Sequence, residues 1–154
     1  MGRASAHIDV PGRVSAAEAL WYDHGRWPTF VDGLAHIDKV EGDWPRPGAR
    51  LLWVSQPGGR GRVVEEVTDY EARVGQTVRV EDEHTYATQR LTFSPLEDGT
   101  SVRLELDYRL KQQRPLMPVV DLLFIRRQQR DALQRTLRRF RTELRAESDE
   151  ALAR

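Results

Sequence analysis

The sequence contains no cysteine in its 154 residues. Disulfides, thiolate nucleophiles and thiolate metal sites are therefore excluded, and the redox compartment is left open. No run approaches the ~20 apolar residues of a membrane-crossing helix, and the opening MGRASAHIDVPG lacks the apolar centre of a signal peptide. The expectation is a cytoplasmic protein without integral membrane association. Net charge is missing as well. Twenty-four basic and 24 acidic residues give a formal charge of +0, which argues against a general affinity for nucleic acid or acidic surfaces while leaving room for a local patch. The histidines His7, His24, His36 and His84 show no ligand spacing such as H-x-x-x-H, so no metal and no cofactor is expected. Ser55, Ser94 and Ser101 lack a nucleophile-elbow context. QPGGRGR, residues 56–62, has neither the following helix nor the Gly-Lys-Ser/Thr ending of a phosphate loop and is expected to be a hairpin turn. Repeats, low-complexity tracts and interdomain linkers are also absent.

What remains is a chain with 39% hydrophobic and 31% charged residues, long enough for one domain, 1–154, with a sizeable core. SAHIDV is strand-like and ends at Pro11 and Gly12. In SAAEALWYD, Ser15 with Glu18 three residues on forms a capping-box pattern that predicts a short helix. RWPTFVDG predicts a second one, with Pro28 in its first turn and Gly33 as its stop. The period then changes. AHIDKVEG, ARLLWVSQ, RGRVVEEVTDY, QTVRVEDE, TYATQRLTF and TSVRLELDYRL are strand-length and rich in β-branched or aromatic residues, with turn signals between them. Such short gaps imply antiparallel pairing, because parallel strands need long crossovers. In the last strand Val102, Leu104, Leu106, Tyr108 and Leu110 alternate with charged residues, so one face is buried and one is wet.

From Pro118 to about Glu147 there is no Gly and no further Pro. Leu133, Leu137, Phe140 and Leu144 recur at steps of 4, 3 and 4, the spacing of an amphipathic helix. About 30 residues at about 1.5 Å each give a rod of about 45 Å. The resulting class is α+β: a seven-stranded antiparallel sheet, two short helices after the first strand, and one long helix to cover the sheet's apolar face.

Several tracts carry a family resemblance: AHIDVPGRVSAAEALWYDHGRWPTFVDGL at the start, VEGDWPRPGARLLW, RGRVVEEVTDYEARVGQTVRVE, and the terminal long helix. Over residues 5–147 the chain resembles the SRPBCC superfamily of START/Bet v 1-like helix-grip domains, and within it the polyketide cyclase/dehydrase-like proteins. The resemblance implies a curved sheet gripping the C-terminal helix around an apolar cavity, with the two short helices closing one end. It says little about chemistry, since a fold of this kind hosts many functions.

HGRWPTFVDGL, with Trp27, Pro28 and Phe30 between Gly25 and Gly33, is on this view a lid. Its aromatics either line a ligand cavity or plug the end of a packed core. In TYATQRLTF the parity set by Leu91 and Phe93 turns Gln89 inward. In RVVEEVTDY the set Val63, Glu65, Val67 turns Glu65 inward and Glu66 outward, so the two carboxylates cannot act as a pair on one face. A one-residue slip would exchange them. The helical stripe meets Gln129, Arg130 and Arg126 where more leucine is expected. Arg126 either grips a ligand carboxylate as a planar fork or extends to solvent with its stem packed. Tyr108 can donate to a ligand carbonyl or sit satisfied in the core. The eight arginines between Arg126 and Arg145 are offset by acids elsewhere and are expected to be a wet helix face paired with acids of the sheet, not a nucleic-acid surface. ARLLWVSQ is apolar on both faces, Leu51 and Trp53 on one, Leu52 and Val54 on the other, which allows a homodimer.

The expected function is binding of a small hydrophobic molecule (a lipid, quinone, aromatic or polyketide-like compound) by Trp27, Phe30, Trp53, Glu65, Gln89, Tyr108, Arg126 and Gln129. The resemblance also allows a cyclase/dehydrase in which Glu65 is the acid/base and Tyr108 or Arg126 polarises a carbonyl. A third possibility is a protein-interaction module whose cavity is filled.

Overall fold

A computed structural model describes residues 2–112 and 119–154. The chain runs β1 (Gly2–Val10), α1 (Val14–Tyr22), a 3-10 turn (His24–Arg26), α2 (Trp27–Phe30), β2 (Leu34–Glu41), β3 (Arg50–Ser55), β4 (Arg62–Glu71), β5 (Gly75–Glu81), β6 (Thr85–Leu96), β7 (Gly99–Leu110) and α3 (Val119–Ala153). All seven strands form one antiparallel sheet in the order β1-β7-β6-β5-β4-β3-β2. Consecutive strands from β2 to β7 are neighbours, as short turns require. Only β1 crosses over, to pair with β7 from Gly2 opposite Tyr108 to Val10 opposite Thr100.

The alternation in β7 is the one expected: Val102, Leu104, Leu106 and Tyr108 are buried, and Arg103, Asp107 and Arg109 are exposed. The inward side chains of β1 are Ala4, Ala6, Ile8 and Val10. Two alanines in this row keep the edge strand thin, and α3 packs mainly against β1. Leu133, Thr136, Leu137, Phe140 and Leu144 are the buried residues of α3. The helix has 35 residues, longer than its sequence pattern suggested, because SDEALA beyond Glu147 contains no breaker and simply extends it. The expected start at Pro118 lies outside the described residues.

The capping box is a correction. The N-cap of α1 is Arg13, which makes no side-chain capping bond, and Ser15 lies inside the helix. Glu18 is instead buried and reaches across the domain: its Oε2 accepts the backbone N–H of Arg73 at 2.9 Å, and its Oε1 accepts the Arg73 guanidinium. Arg73 holds φ +67° in the β4–β5 turn. A buried carboxylate that satisfies an otherwise orphaned N–H there outweighs a solvent-exposed capping bond. Pro28 and Gly33 behave as read. Pro28 sits in the first turn of α2, and Gly33 takes φ +76°, a left-handed value that glycine adopts without steric cost.

Candidate functional site

Inward parity on three strands and one helix brings polar side chains together in the middle of the apolar interior. Glu65 from β4 and Trp53 from β3 are 7% and 2% exposed, and Trp53 Nε1 donates to Glu65 Oε2 at 2.7 Å. Glu66 takes the opposite face and lies opposite Arg50 in the register. Burial pushes the Glu65 carboxyl above the usual carboxylate range, against the opposing pull of the Trp53 hydrogen bond and the nearby Arg60 charge. A carboxyl so placed favours its neutral form, with an O–H to donate. Its Oε1 has no hydrogen-bond partner among the described residues. Neither do the side-chain amides of Gln89 on β6 and Gln129 on α3, both half-buried.

These groups border a cavity of about 100 Å³, walled on its apolar side by Trp21, Trp27, Val80, Leu104 and Leu133. Trp27 is held by its indole N–H, which donates to the Trp21 carbonyl at 2.7 Å. Four further polar residues, Asp32, Arg60, Gln76 and Thr136, also border the space. Arg60 lies 5.5 Å from the Trp53 ring centroid, and its Nε donates to buried Asp82 Oδ2 at 2.7 Å. The other Asp82 oxygen accepts the backbone N–H groups of His84 and Thr85. A fixed anion therefore holds Arg60 across the β3–β4 turn, against the cavity's aromatic wall. Gln76 was within reach of the sequence, because it shares the inward parity of Val78 and Val80. Arg60 and Asp82 were not, since both lie in turns where no periodicity marks a face.

The eight expected site residues do not converge. Trp27, Trp53, Glu65, Gln89 and Gln129 border the cavity. Phe30 is fully buried in an aromatic triad, its ring centroid 5.6 Å from that of Trp21 and 5.4 Å from that of Phe140, with Trp21 and Phe140 5.3 Å apart. It closes the end of the core. Tyr108 and Arg126 border a separate hollow of about 370 Å³ beside the first turns of α3. Arg126 is exposed, and its Nε donates to the Arg3 carbonyl on edge strand β1 at 3.0 Å. Tyr108 packs over Gly2, where any side chain would collide with its ring. Burial raises its phenol, and the Arg126 charge pulls it back.

The helix arginines do not reach acids of the sheet in any described ion pair. Arg135 and Arg139 instead hold the lid: Arg135 makes a two-pronged pair with Asp32 at 3.0 and 3.1 Å, and Arg139 reaches the same carboxylate at 3.2 Å. Nearby, the Asp32 N–H donates to Thr136 Oγ1 at 2.9 Å, and Arg26 pairs with Glu143 and Glu147. Among the described residues no cluster of three or more His, Asp or Glu could hold a metal ion, and no helix is long and apolar enough to cross a membrane.

The fold has well-matched solved relatives. A protein from Thermus thermophilus superposes with a TM-score of 0.79 at 18% identity, over 95% of this chain and 99% of that one. A START superfamily protein from Mycobacterium smegmatis gives 0.72 at 17% identity, over 94% and 99%. The di-domain ARO/CYC StfQ of the steffimycin biosynthetic pathway gives 0.74 at 16% identity, with this chain covering 51% of its length. Identities this low establish the architecture alone, which is the START/Bet v 1-like helix grip. No functionally curated protein matches the sequence. A family model described as polyketide cyclase / dehydrase and lipid transport matches residues 1–145. That match runs from the first strand to Arg145, far along α3, and this protein belongs to the polyketide cyclase/dehydrase and lipid transport family.

Proposed function

We propose that this protein binds a small hydrophobic molecule carrying a carbonyl or phenolic oxygen, with its ring against Trp27 and Trp53 and its oxygen at Glu65. The observation that carries the reading is the buried Glu65 carboxyl. Trp53 Nε1 satisfies one of its oxygens, and the other is left to a guest in a space bordered by Gln89 and Gln129. Apolar walls supply the affinity and a few convergent polar groups fix the orientation. At about 100 Å³ the cavity is smaller than the ~150 Å³ cavity that admits benzene in another protein. A single-ring guest must therefore widen it, and anything larger must open its mouth further.

Single-ring probes test this. Acetophenone and phenol should quench or shift the tryptophan fluorescence and bind measurably in calorimetry, with toluene as the oxygen-free control. Glu65→Leu should weaken acetophenone roughly fivefold to tenfold, the worth of one hydrogen bond, and leave toluene nearly unchanged. Acetophenone binding that ignores Glu65→Leu, or no binding of any probe, overturns the reading.

The raised Glu65 carboxyl also supports a second reading, a cyclase/dehydrase-type reaction in which neutral Glu65 donates its proton to a substrate carbonyl or leaving hydroxyl. Tyr108 and Arg126 face a different hollow and take no part in it. On that reading Glu65→Gln abolishes turnover and preserves affinity. On the binding reading there is no turnover to lose.

A further inference from the structure

The first two turns of α3 are apolar around their whole circumference. At about 100° per residue, Val119, Val120, Leu122, Leu123, Phe124 and Ile125 distribute over every face of the helix, and Asp121 is the one polar side chain among them. Only Ile125 packs against the core. Val120 and Phe124 are 73% and 61% exposed. A helix apolar on one stripe wants a core; one apolar all round wants an apolar medium. The hollow beside Tyr108 occupies one side of this end and leaves Val120 and Phe124 unexplained.

Positive charge predominates around this end. Arg90, Arg103, Arg126, Arg127 and Arg130 border a groove between α3 and the outer face of β1 and β7, together with the carboxylates Glu105 and Asp107. Arg3 and Arg109 border the adjoining hollow, which no carboxylate lines. Four of these arginines are paired: Arg103 with Glu105, Arg3 with Asp107, and Arg127 and Arg130 with the shared carboxylate of Asp131. Seven arginines against three carboxylates still leave a positive collar immediately behind an apolar tip, in a chain of formal charge +0. Next to Arg109, the half-exposed Tyr86 ring carries two cations, Arg109 at 4.9 Å and Lys111 at 4.7 Å. Amphipathic aromatics and long cationic side chains of this kind settle at membrane interfaces.

We propose that the N-terminal end of α3 docks on an anionic lipid bilayer, with Val119, Val120, Leu123 and Phe124 immersed and the arginine collar against the headgroups. At about 100° per residue these four side chains share one side of the helix, away from Asp121, the arrangement by which an interfacial helix buries an apolar face ~5–10 Å deep. Charge complementarity selects the occupant. An apolar partner protein would have no use for the collar, and a nucleic acid would have none for the tip. The inference does not rest on the cavity reading, because vesicle binding and probe binding can each fail alone.

Sedimentation with vesicles of phosphatidylcholine, with and without phosphatidylglycerol, tests it on the full chain. The protein should pellet with the anionic vesicles and be released by high salt. Phe124→Asp should cut partitioning by about tenfold or more through lost apolar burial. Arg127→Gln and Arg130→Gln should each cost about fivefold on anionic vesicles and nothing on neutral ones. All three positions are exposed, so circular dichroism should be unchanged. Failure to pellet with anionic vesicles overturns the proposal, as does pelleting indifferent to Phe124→Asp. Concentration-dependent self-association that Phe124→Asp abolishes overturns it too, since a second copy would then cover the tip.

Discussion

Glu65→Gln should make the protein more stable at neutral and alkaline pH and remove a step from its stability profile. Burial holds the Glu65 carboxyl above its ordinary range, with Trp53 and Arg60 offsetting only part of the shift. The unfolded chain therefore releases this proton first as pH rises, beginning near its ordinary value of about 4.3. Below that value both states are protonated and the contribution of Glu65 to stability is fully present. Above it the contribution is lost progressively, until pH passes the folded-state value. Each unit of displacement amounts to about 1.4 kcal/mol of stability forfeited on the alkaline side. The amide of Glu65→Gln is isosteric, keeps an oxygen to accept Trp53 Nε1 across the 2.7 Å bond, and has no charge to desolvate. Wild type and variant should thus melt alike at about pH 4 and diverge by about pH 8, with roughly 2–4 °C of melting temperature for every 1 kcal/mol. Thermal melts followed by circular dichroism across this range decide the matter. A difference that does not change with pH, or a wild type that gains on the variant as pH rises, would show that Glu65 is ionised and stabilised in the fold, and the donor role assigned to it would fail.

Phe140→Ala removes one member of the fully buried Trp21–Phe30–Phe140 triad and should cost about 3–5 kcal/mol, a fall of roughly 10 °C in calorimetric melting temperature; a loss under about 1 kcal/mol would mean that end of the core is loosely packed. Glu18→Ala orphans the Arg73 N–H and should cost about 1–3 kcal/mol in urea unfolding. Glu18→Gln, which keeps an acceptor, should recover part of that loss, and equal losses in the two variants would refute the hydrogen-bond account. Asp32→Ala cuts the lid from Arg135 and Arg139 at a cost in stability of about 1 kcal/mol or less, while amide exchange across residues 27–33 should accelerate. Unchanged exchange would show that packing of Trp27 and Phe30, not the ion pairs, holds the lid.

Where a side chain's face follows from a period, the sequence made it legible. The steps of 4, 3 and 4 through Leu133, Leu137, Phe140 and Leu144 are the buried stripe of α3, and the parity of Val63 and Val67 places Glu65 inside. Position along an element was not legible. Gln129 and Arg126 lie one turn apart on one side of α3, yet Gln129 borders the cavity while Arg126 bonds the Arg3 carbonyl of edge strand β1. Tyr108 has the parity of Leu104 and Leu106 but lies further along β7, opposite Gly2 at the end of β1, where the sheet opens on a different hollow. Glu18 misled because a local capping pattern and a partner 55 residues away compete for the same carboxylate. Only the folded chain brings Arg73 near.

The small size of the interior space has a consequence for how a guest enters. One end is closed by the aromatic triad, and separating any of those rings forfeits buried contact worth about 3–5 kcal/mol. The other closures are the Arg60–Asp82 pair over Trp53 and the Asp32 contacts to Arg135 and Arg139. Apart from the Asp82 carboxylate, itself anchored by two backbone N–H groups, these are half-exposed pairs, each worth about 1 kcal/mol or less. The cheap route is for Arg60 to swing off Trp53 into solvent, leaving Asp82 bonded to its own turn, with the lid and its Phe30 still packed on α3. Admission is thus set by charged side chains at the rim, and the aromatic end stays shut. On this argument Arg60→Ala should admit two-ring probes such as 2-naphthol that the wild type binds slowly, with the one-ring affinities little changed.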